Sequence, residues 1–107
     1  MRKFNVDPLF AILDDNKNVV VVDSFSPITS REQLGRSRVG LTELEDGTVV
    51  STVFIGINTN LTGEEPNWFE TMVFENGGRT TERKRTYATY EAALRGHDEM
   101  VEEARNG

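Results

Sequence analysis

The chain of 107 residues contains no cysteine, which excludes disulfide bonds, thiolate zinc ligands and cysteine nucleophiles. It has one histidine, His97, and this argues against a zinc site because such sites take several His or Cys ligands. The glycine-rich phosphate loops, the G-x-S-x-G nucleophile elbow and the complete calcium-loop pattern are also missing. The sequence therefore predicts no metal, cofactor or catalytic residues, and favours a protein that is not an enzyme.

Long apolar runs are absent too. The longest is Leu9–Leu13, against the roughly 20 residues that a membrane helix needs. The N-terminal segment lacks the apolar core of a signal peptide, since Asn5, Asp7 and Pro8 interrupt it. We expect a soluble cytoplasmic protein with no membrane partner.

Positive charge is in the minority, with 12 basic against 18 acidic residues and a net charge of −6. A field of this sign repels phosphates, which argues against nucleic acid as a partner.

Turn formers and β-rich runs divide the chain into elements of one α+β domain, residues 1–107. Residues 9–23 predict a β-hairpin around the turn Asp14–Asn18. Residues 24–37 are irregular, with one helical turn capped by Ser30 and ending at Gly35.

Residues 38–87 predict a four-stranded antiparallel meander. Its clearest signal is Asp46-Gly47, the pair favoured in two-residue type I′ turns. That turn pairs Leu44 with Val49 and Leu41 with Thr52, and it places Leu41 on one face with Val39, Val50 and Phe54.

A C-terminal helix is predicted over residues 90–105, with Thr89 as its N-cap. One stripe of it, expected to pack on one face of the sheet, contains Tyr90, Ala93, Leu94, His97, Met100, Val101 and Ala104.

The sheet is predicted to be apolar on both faces, and the helix can cover only one. The other face needs the N-terminal segment or a second copy of the chain, and we expect a homodimer. The polar residues inside the best strands, Ser51, Thr52, Glu70 and Thr71, are then expected at a sheet face shared with another subunit or a bound partner.

Two surfaces are candidates for binding. Trp68, Glu70 and Met72 alternate along one strand, near Thr52 of its neighbour. Glu70 is expected to pair with Arg38, Arg83 or Arg85, or to hold a ligand. On an edge strand, Arg83, Arg85 and Tyr87 would share a face suited to a phosphate-bearing ligand.

His97 has two interpretations. It is either a histidine packed on the sheet, with backbone or carboxylate partners, or a general base oriented by Glu70 or Asp98.

Three separated blocks resemble a group of small phage and prophage proteins. They are VSTVFIGI at 50–57, FETMVF at 69–74 and YATYEAA with GH at 87–97, in a match spanning residues 38–105. Those proteins have mostly no assigned function, so the resemblance implies a phage-type origin, and hence the host cytoplasm, more than an activity. Relatives often carry an Asp-His pair where this chain has Asn58-Thr59, and only Arg36 and Arg38 remain of their Arg- and Trp-containing segment.

Together these observations favour a homodimeric, non-enzymatic binding module of phage type, whose target is a host protein or a small host metabolite. Three alternatives remain open at this point: sequestration of a host defence nucleotide, a structural or assembly role in a phage particle, and a small hydrolase that uses His97 and Glu70.

Overall fold

The computed structural model describes residues 10–23, 27, 30–58, 65–76, 78 and 80–106. The elements within these segments follow the order β1 (Phe10–Leu13), β2 (Val19–Val22), α1 (Arg31–Arg36), β3 (Arg38–Glu43), β4 (Val49–Phe54), β5 (Phe69–Phe74), β6 (Thr80–Tyr87) and α2 (Tyr90–Asn106). β1 and β2 form a two-stranded sheet, and β3-β4-β5-β6 form an antiparallel sheet in chain order with α2 packed against it. The predicted α+β fold is confirmed.

The first hairpin is closed by Asp14. Its carboxylate accepts hydrogen bonds from the backbone N–H groups of Asn16 and Asn18, both at 2.9 Å. These bonds, led by the one from Asn18, lower the pKa of Asp14. Lys17 takes the left-handed conformation that completes the turn, at φ 67°. The predicted turn is confirmed, and residue 9 lies outside the described segments.

The turn between β3 and β4 is one residue longer than predicted. The carbonyl of Leu44 accepts from Gly47 N at 3.0 Å, and Leu44 N donates to the carbonyl of Thr48 at 2.7 Å. With Gly47 at φ 90°, this is a three-residue loop in which a type I turn is followed by a glycine bulge. The type I′ prediction was wrong, and Val49 pairs with Glu43 rather than with Leu44.

This single-residue difference reverses the faces of β3. Leu41 lies opposite Ser51 and is 53% exposed, while Gly40 lies opposite Thr52. The predicted grouping of Leu41 with Val50 was therefore wrong, because a one-residue slip moves every side chain of a strand to the other face.

Helix α1 lies inside the stretch predicted as irregular. Ser30 caps it by accepting from Gln33 N at 3.2 Å, as predicted, but the helix continues past Gly35 to Arg36. The Gln33 side chain then pairs with the backbone of Leu13, accepting its N–H at 2.8 Å and donating to its carbonyl at 2.5 Å. The buried side-chain amide of Gln33 thus forms hydrogen bonds with both backbone groups of Leu13 at the edge of β1. Residues 24–26 and 28–29 lie outside the described segments.

Helix α2 begins where predicted, since Thr89 Oγ1 accepts from Ala92 N at 3.1 Å. Its buried residues are Ala93, Gly96, His97, Met100 and Val101, which confirms most of the predicted stripe. Leu94 is the exception, because it is 41% exposed. Within the described segments, neither helix has the length and apolar character needed to cross a bilayer.

Two apolar clusters form beneath α2. The first contains Ala11, Leu13, Phe54, Trp68, Phe69 and Ala93. The second contains Leu44, Val50, Val73, Met100 and Val101. The first hairpin joins the sheet through a hydrogen bond from Ala11 N to the carbonyl of Gly56, at 3.0 Å. Since Ala11 and Leu13 pack in the same cluster as Ala93, β1 lies on the α2 side of the sheet.

Candidate functional site

A polar layer separates the two apolar clusters. Along α2, His97 lies between Ala93 of the first cluster and Met100 of the second. In the sheet, Thr52 and Thr71 are paired neighbours on β4 and β5, and both are fully buried. His97 is 7% exposed. The layer is therefore enclosed between α2 and the sheet.

Hydrogen bonds connect this layer across all four strands. His97 Nδ1 lies 2.7 Å from Thr52 Oγ1, and Nε2 lies 2.9 Å from Thr42 Oγ1 on β3. Thr52 Oγ1 is 2.5 Å from Thr71 Oγ1, which accepts from the Tyr87 hydroxyl on β6 at 3.0 Å. We call these five residues the threonine–histidine network.

All hydrogen bonds of the network can form at once if they run in one direction, from Tyr87 to Thr42. Tyr87 donates to Thr71, Thr71 to Thr52, and Thr52 to Nδ1 of a neutral imidazole whose Nε2–H donates to Thr42. Bonds aligned in this way strengthen one another in a low-dielectric interior. Among the described residues, no buried side-chain nitrogen or oxygen lacks a hydrogen-bond partner.

The surroundings of His97 favour its neutral form. Burial lowers its pKa from the ordinary value of 6.5, and the nearby Asp98 carboxylate opposes the shift. Protonation would also turn Nδ1 into a donor and force the Thr52 hydroxyl to reverse. Burial of Tyr87 raises the pKa of its hydroxyl, which therefore keeps its proton and remains a hydrogen-bond donor at neutral pH.

Two glycines let α2 approach the network closely. A Cβ added to Gly40 on β3 would lie 3.0 Å from three atoms of the His97 ring. A Cβ added to Gly96 on α2 would overlap the Tyr87 ring. The helix can therefore rest on the aromatic side chains only because these two positions lack a side chain.

The structure does not bring His97 and Glu70 together. Thr71 faces α2, so its neighbour Glu70 points to the opposite side of the sheet. The partners of His97 are threonine hydroxyls rather than a carboxylate or the backbone. The expectation that Thr52 and Thr71 lie at a shared sheet face is wrong, since the chain's own helix covers them.

The opposite side of the sheet, which we call the outer face, is made of regular cross-strand rows. Residues with matching register across the four strands form two of them: Leu41, Ser51, Met72 and Lys84 in one, and Arg38, Val53, Glu70 and Thr86 in the other. Leu41 is 53% exposed, and Met72 and Val53 are half-buried. This face therefore mixes apolar side chains with both signs of charge.

Two of the predicted binding residues, Glu70 and Met72, lie on this face. Glu70 lies 3.9 Å from Lys84 Nζ, so its cation is Lys84 instead of an arginine. Met72 lies on the same face, beside Lys84 in the register. Trp68 belongs elsewhere: it is 3% exposed and packs in the first apolar cluster with Phe54.

Two of the three residues of the predicted arginine–tyrosine surface on β6 already bind other side chains of the same chain. Arg85 lies 3.2 Å from a Glu103 carboxylate oxygen and 3.9 Å from one of Glu99, both on α2. The Tyr87 hydroxyl is bound to Thr71. Arg83 is exposed and lies where the register of β5 and β6 shifts, so strand alternation does not align it with Arg85.

Comparison with family models, curated proteins and solved structures finds no match. Within the described segments, no group of three His, Cys, Asp or Glu side chains is placed to hold a metal ion.

Sequence reasoning missed Thr42, Gly40 and Gly96. The turn prediction placed Leu41 on the face of Val50, and by strand alternation this put Thr42 and Gly40 on the other face, whereas they lie opposite Val50 and Thr52. Gly96 had a usable signal, since a glycine inside a helix of good helix formers costs stability and points to a close approach.

Proposed function

We propose that the protein is a non-enzymatic binding module that, as a homodimer, holds a host protein against the outer face of its four-stranded sheet. The observation that supports this most directly is the row Leu41, Ser51, Met72 and Lys84, which spans the sheet with its first residue 53% exposed. A sheet face that only meets water is usually polar at such positions. Exposed apolar side chains bordered by charge are typical of protein interfaces.

The shape and the partners of the candidate residues favour a protein over a small metabolite. Small-molecule sites are concave and enclose most of the ligand, whereas rows of side chains on a sheet offer a broad surface. Arg85 and Tyr87, the groups best suited to grip a phosphate, already bind Glu103 and Thr71. A phage-type origin, which the sequence resemblance implies, makes a host protein the natural target.

A pair of matched variants tests the proposal. Leu41→Glu places a charge on the outer face, and Leu94→Glu makes the same change on α2, where the leucine is similarly exposed at 41%. Tagged protein expressed in host cells is purified, and the proteins that accompany it are quantified by mass spectrometry. We expect the same partner with wild type and Leu94→Glu, and its loss with Leu41→Glu. A partner retained equally by all three would place binding elsewhere.

A further inference from the structure

Strand β2 forms the edge of the two-stranded sheet and carries four consecutive valines. Val20 is 40% exposed and Val21 is 55% exposed, although they point to opposite faces of the hairpin. Exposed edges are normally guarded by a lysine, a proline or a bulge, and β2 contains none of these. In the described part of the chain, β2 pairs only with β1.

The register of the hairpin shows which backbone groups point outward. Asp14 N donates to the carbonyl of Asn18 at 3.0 Å. Because hydrogen-bonded and non-hydrogen-bonded pairs alternate along an antiparallel ladder, Val20 and Val22 direct their N–H and C=O groups toward β1. Val19 and Val21 direct theirs away from it. Ala11, opposite Val21, agrees with this pattern because it donates on the far side of β1, to Gly56.

We infer that two copies of the chain join through their β2 edges, antiparallel, with Val20 of one copy opposite Val20 of the other. Outward groups meet outward groups only when such an axis passes through a residue, so by this criterion each of the four valines of β2 is a possible centre. Centring on Val20 places Val19 opposite Val21 of the second copy, and each of these two pairs supplies about two backbone hydrogen bonds.

The bounds of β2 select Val20 as the centre. With Val20 on the axis, both outward residues of the strand, Val19 and Val21, are paired with strand residues of the other copy. With any other valine on the axis, at least one of them would lie opposite a residue beyond the end of the strand, such as Asp23.

The two hairpins then form one continuous four-stranded sheet around a two-fold axis, which is an isologous interface. This deepens the homodimer part of the proposed function by naming the surface where the copies meet. The outer face does not take part, so it stays available to another protein.

Because the chain has no cysteine, single cysteines report the contact directly. Cα atoms of a non-hydrogen-bonded antiparallel pair are about 4.5 Å apart, which is within the range of a disulfide. We expect Val20→Cys to form a covalent dimer on mild oxidation, seen by non-reducing electrophoresis and intact mass. Val21→Cys, on the same edge, and Met72→Cys, on the outer face, should remain mainly monomeric under these denaturing conditions.

Faster cross-linking of Val21→Cys would overturn the register, and faster cross-linking of Met72→Cys would move the dimer to the outer face. A wild-type monomer in light scattering at micromolar concentration, with no cross-linking of Val20→Cys, would reject the dimer altogether. Leu41→Glu should cross-link through a cysteine at position 20 as well as its parent does. Failure of partner binding and failure of dimerisation are therefore separable.

Discussion

Nδ1 of His97 lies 2.7 Å from Oγ1 of Thr52, and this contact joins the middle of α2 to the middle of β4. Both groups are buried, and Thr52 also bonds Thr71. A buried polar network of this kind, with every member satisfied, sets the position of the helix on the sheet more specifically than apolar contacts do.

Removing the Thr52 hydroxyl should destabilise the fold. Thr52→Val keeps the shape of the side chain but leaves His97 and Thr71 short of a partner, and we expect a loss of about 1–3 kcal/mol in the free energy of unfolding. Urea denaturation measures it. Ser51→Ala is the matched control, since Ser51 is half-buried on the outer face. Equal effects of the two changes would show that the network adds nothing.

Stability should depend on pH through His97. Its folded-state pKa is below the ordinary 6.5, so the unfolded chain binds the proton more readily. The contribution is fully present above about pH 6.5 and is lost progressively as the pH falls toward the folded-state pKa. We expect the wild-type melting temperature to drop more than that of His97→Gln between about pH 7.5 and 5.5, before most carboxylates titrate. Parallel curves would contradict a buried neutral histidine.

A methyl group at position 96 should displace α2. Gly96→Ala improves helix propensity but forces a Cβ into the Tyr87 ring, and overpacking costs about 1–3 kcal/mol. The control is Gly35→Ala in α1, where a Cβ meets nothing within 4 Å. That change should stabilise the protein by up to about 1 kcal/mol. Thermal unfolding of both variants tests the prediction, and a stabilised Gly96→Ala would refute the close approach.

Loss of the Gln33 amide should loosen the first hairpin. Gln33→Ala removes the acceptor of the Leu13 N–H and one donor to the Leu13 carbonyl. We expect this to cost about 1–3 kcal/mol in the free energy of unfolding. Hydrogen exchange should show faster exchange of the Leu13 amide, while Arg31→Ala, an exposed change in the same helix, leaves it protected. Unchanged protection in Gln33→Ala would mean that α1 does not hold β1.

Local patterns were sufficient for the order of the elements. Asp14–Asn18 predicted the first hairpin, Thr89 the start of α2, and the spacing of Ala93, His97 and Met100 its buried side. The register of β3 could not be predicted from the sequence, because Asp46-Gly47 is compatible with both a two-residue turn and a three-residue turn with a bulge. That choice decides whether Leu41 or Gly40 faces α2, and with it the composition of the candidate site.

The sequence by itself therefore determined the α+β class, the strands, the C-terminal helix and the presence of apolar residues on both faces of the sheet, because side-chain periodicity and capping act over a few residues. Only the tertiary structure decided that Thr42, Thr52, Thr71 and Tyr87 meet His97 under the helix while Glu70 and Met72 lie on the outer face. The physical reason is that cross-strand neighbours depend on the register of every ladder at once, and a single added turn residue exchanges the two faces of a strand.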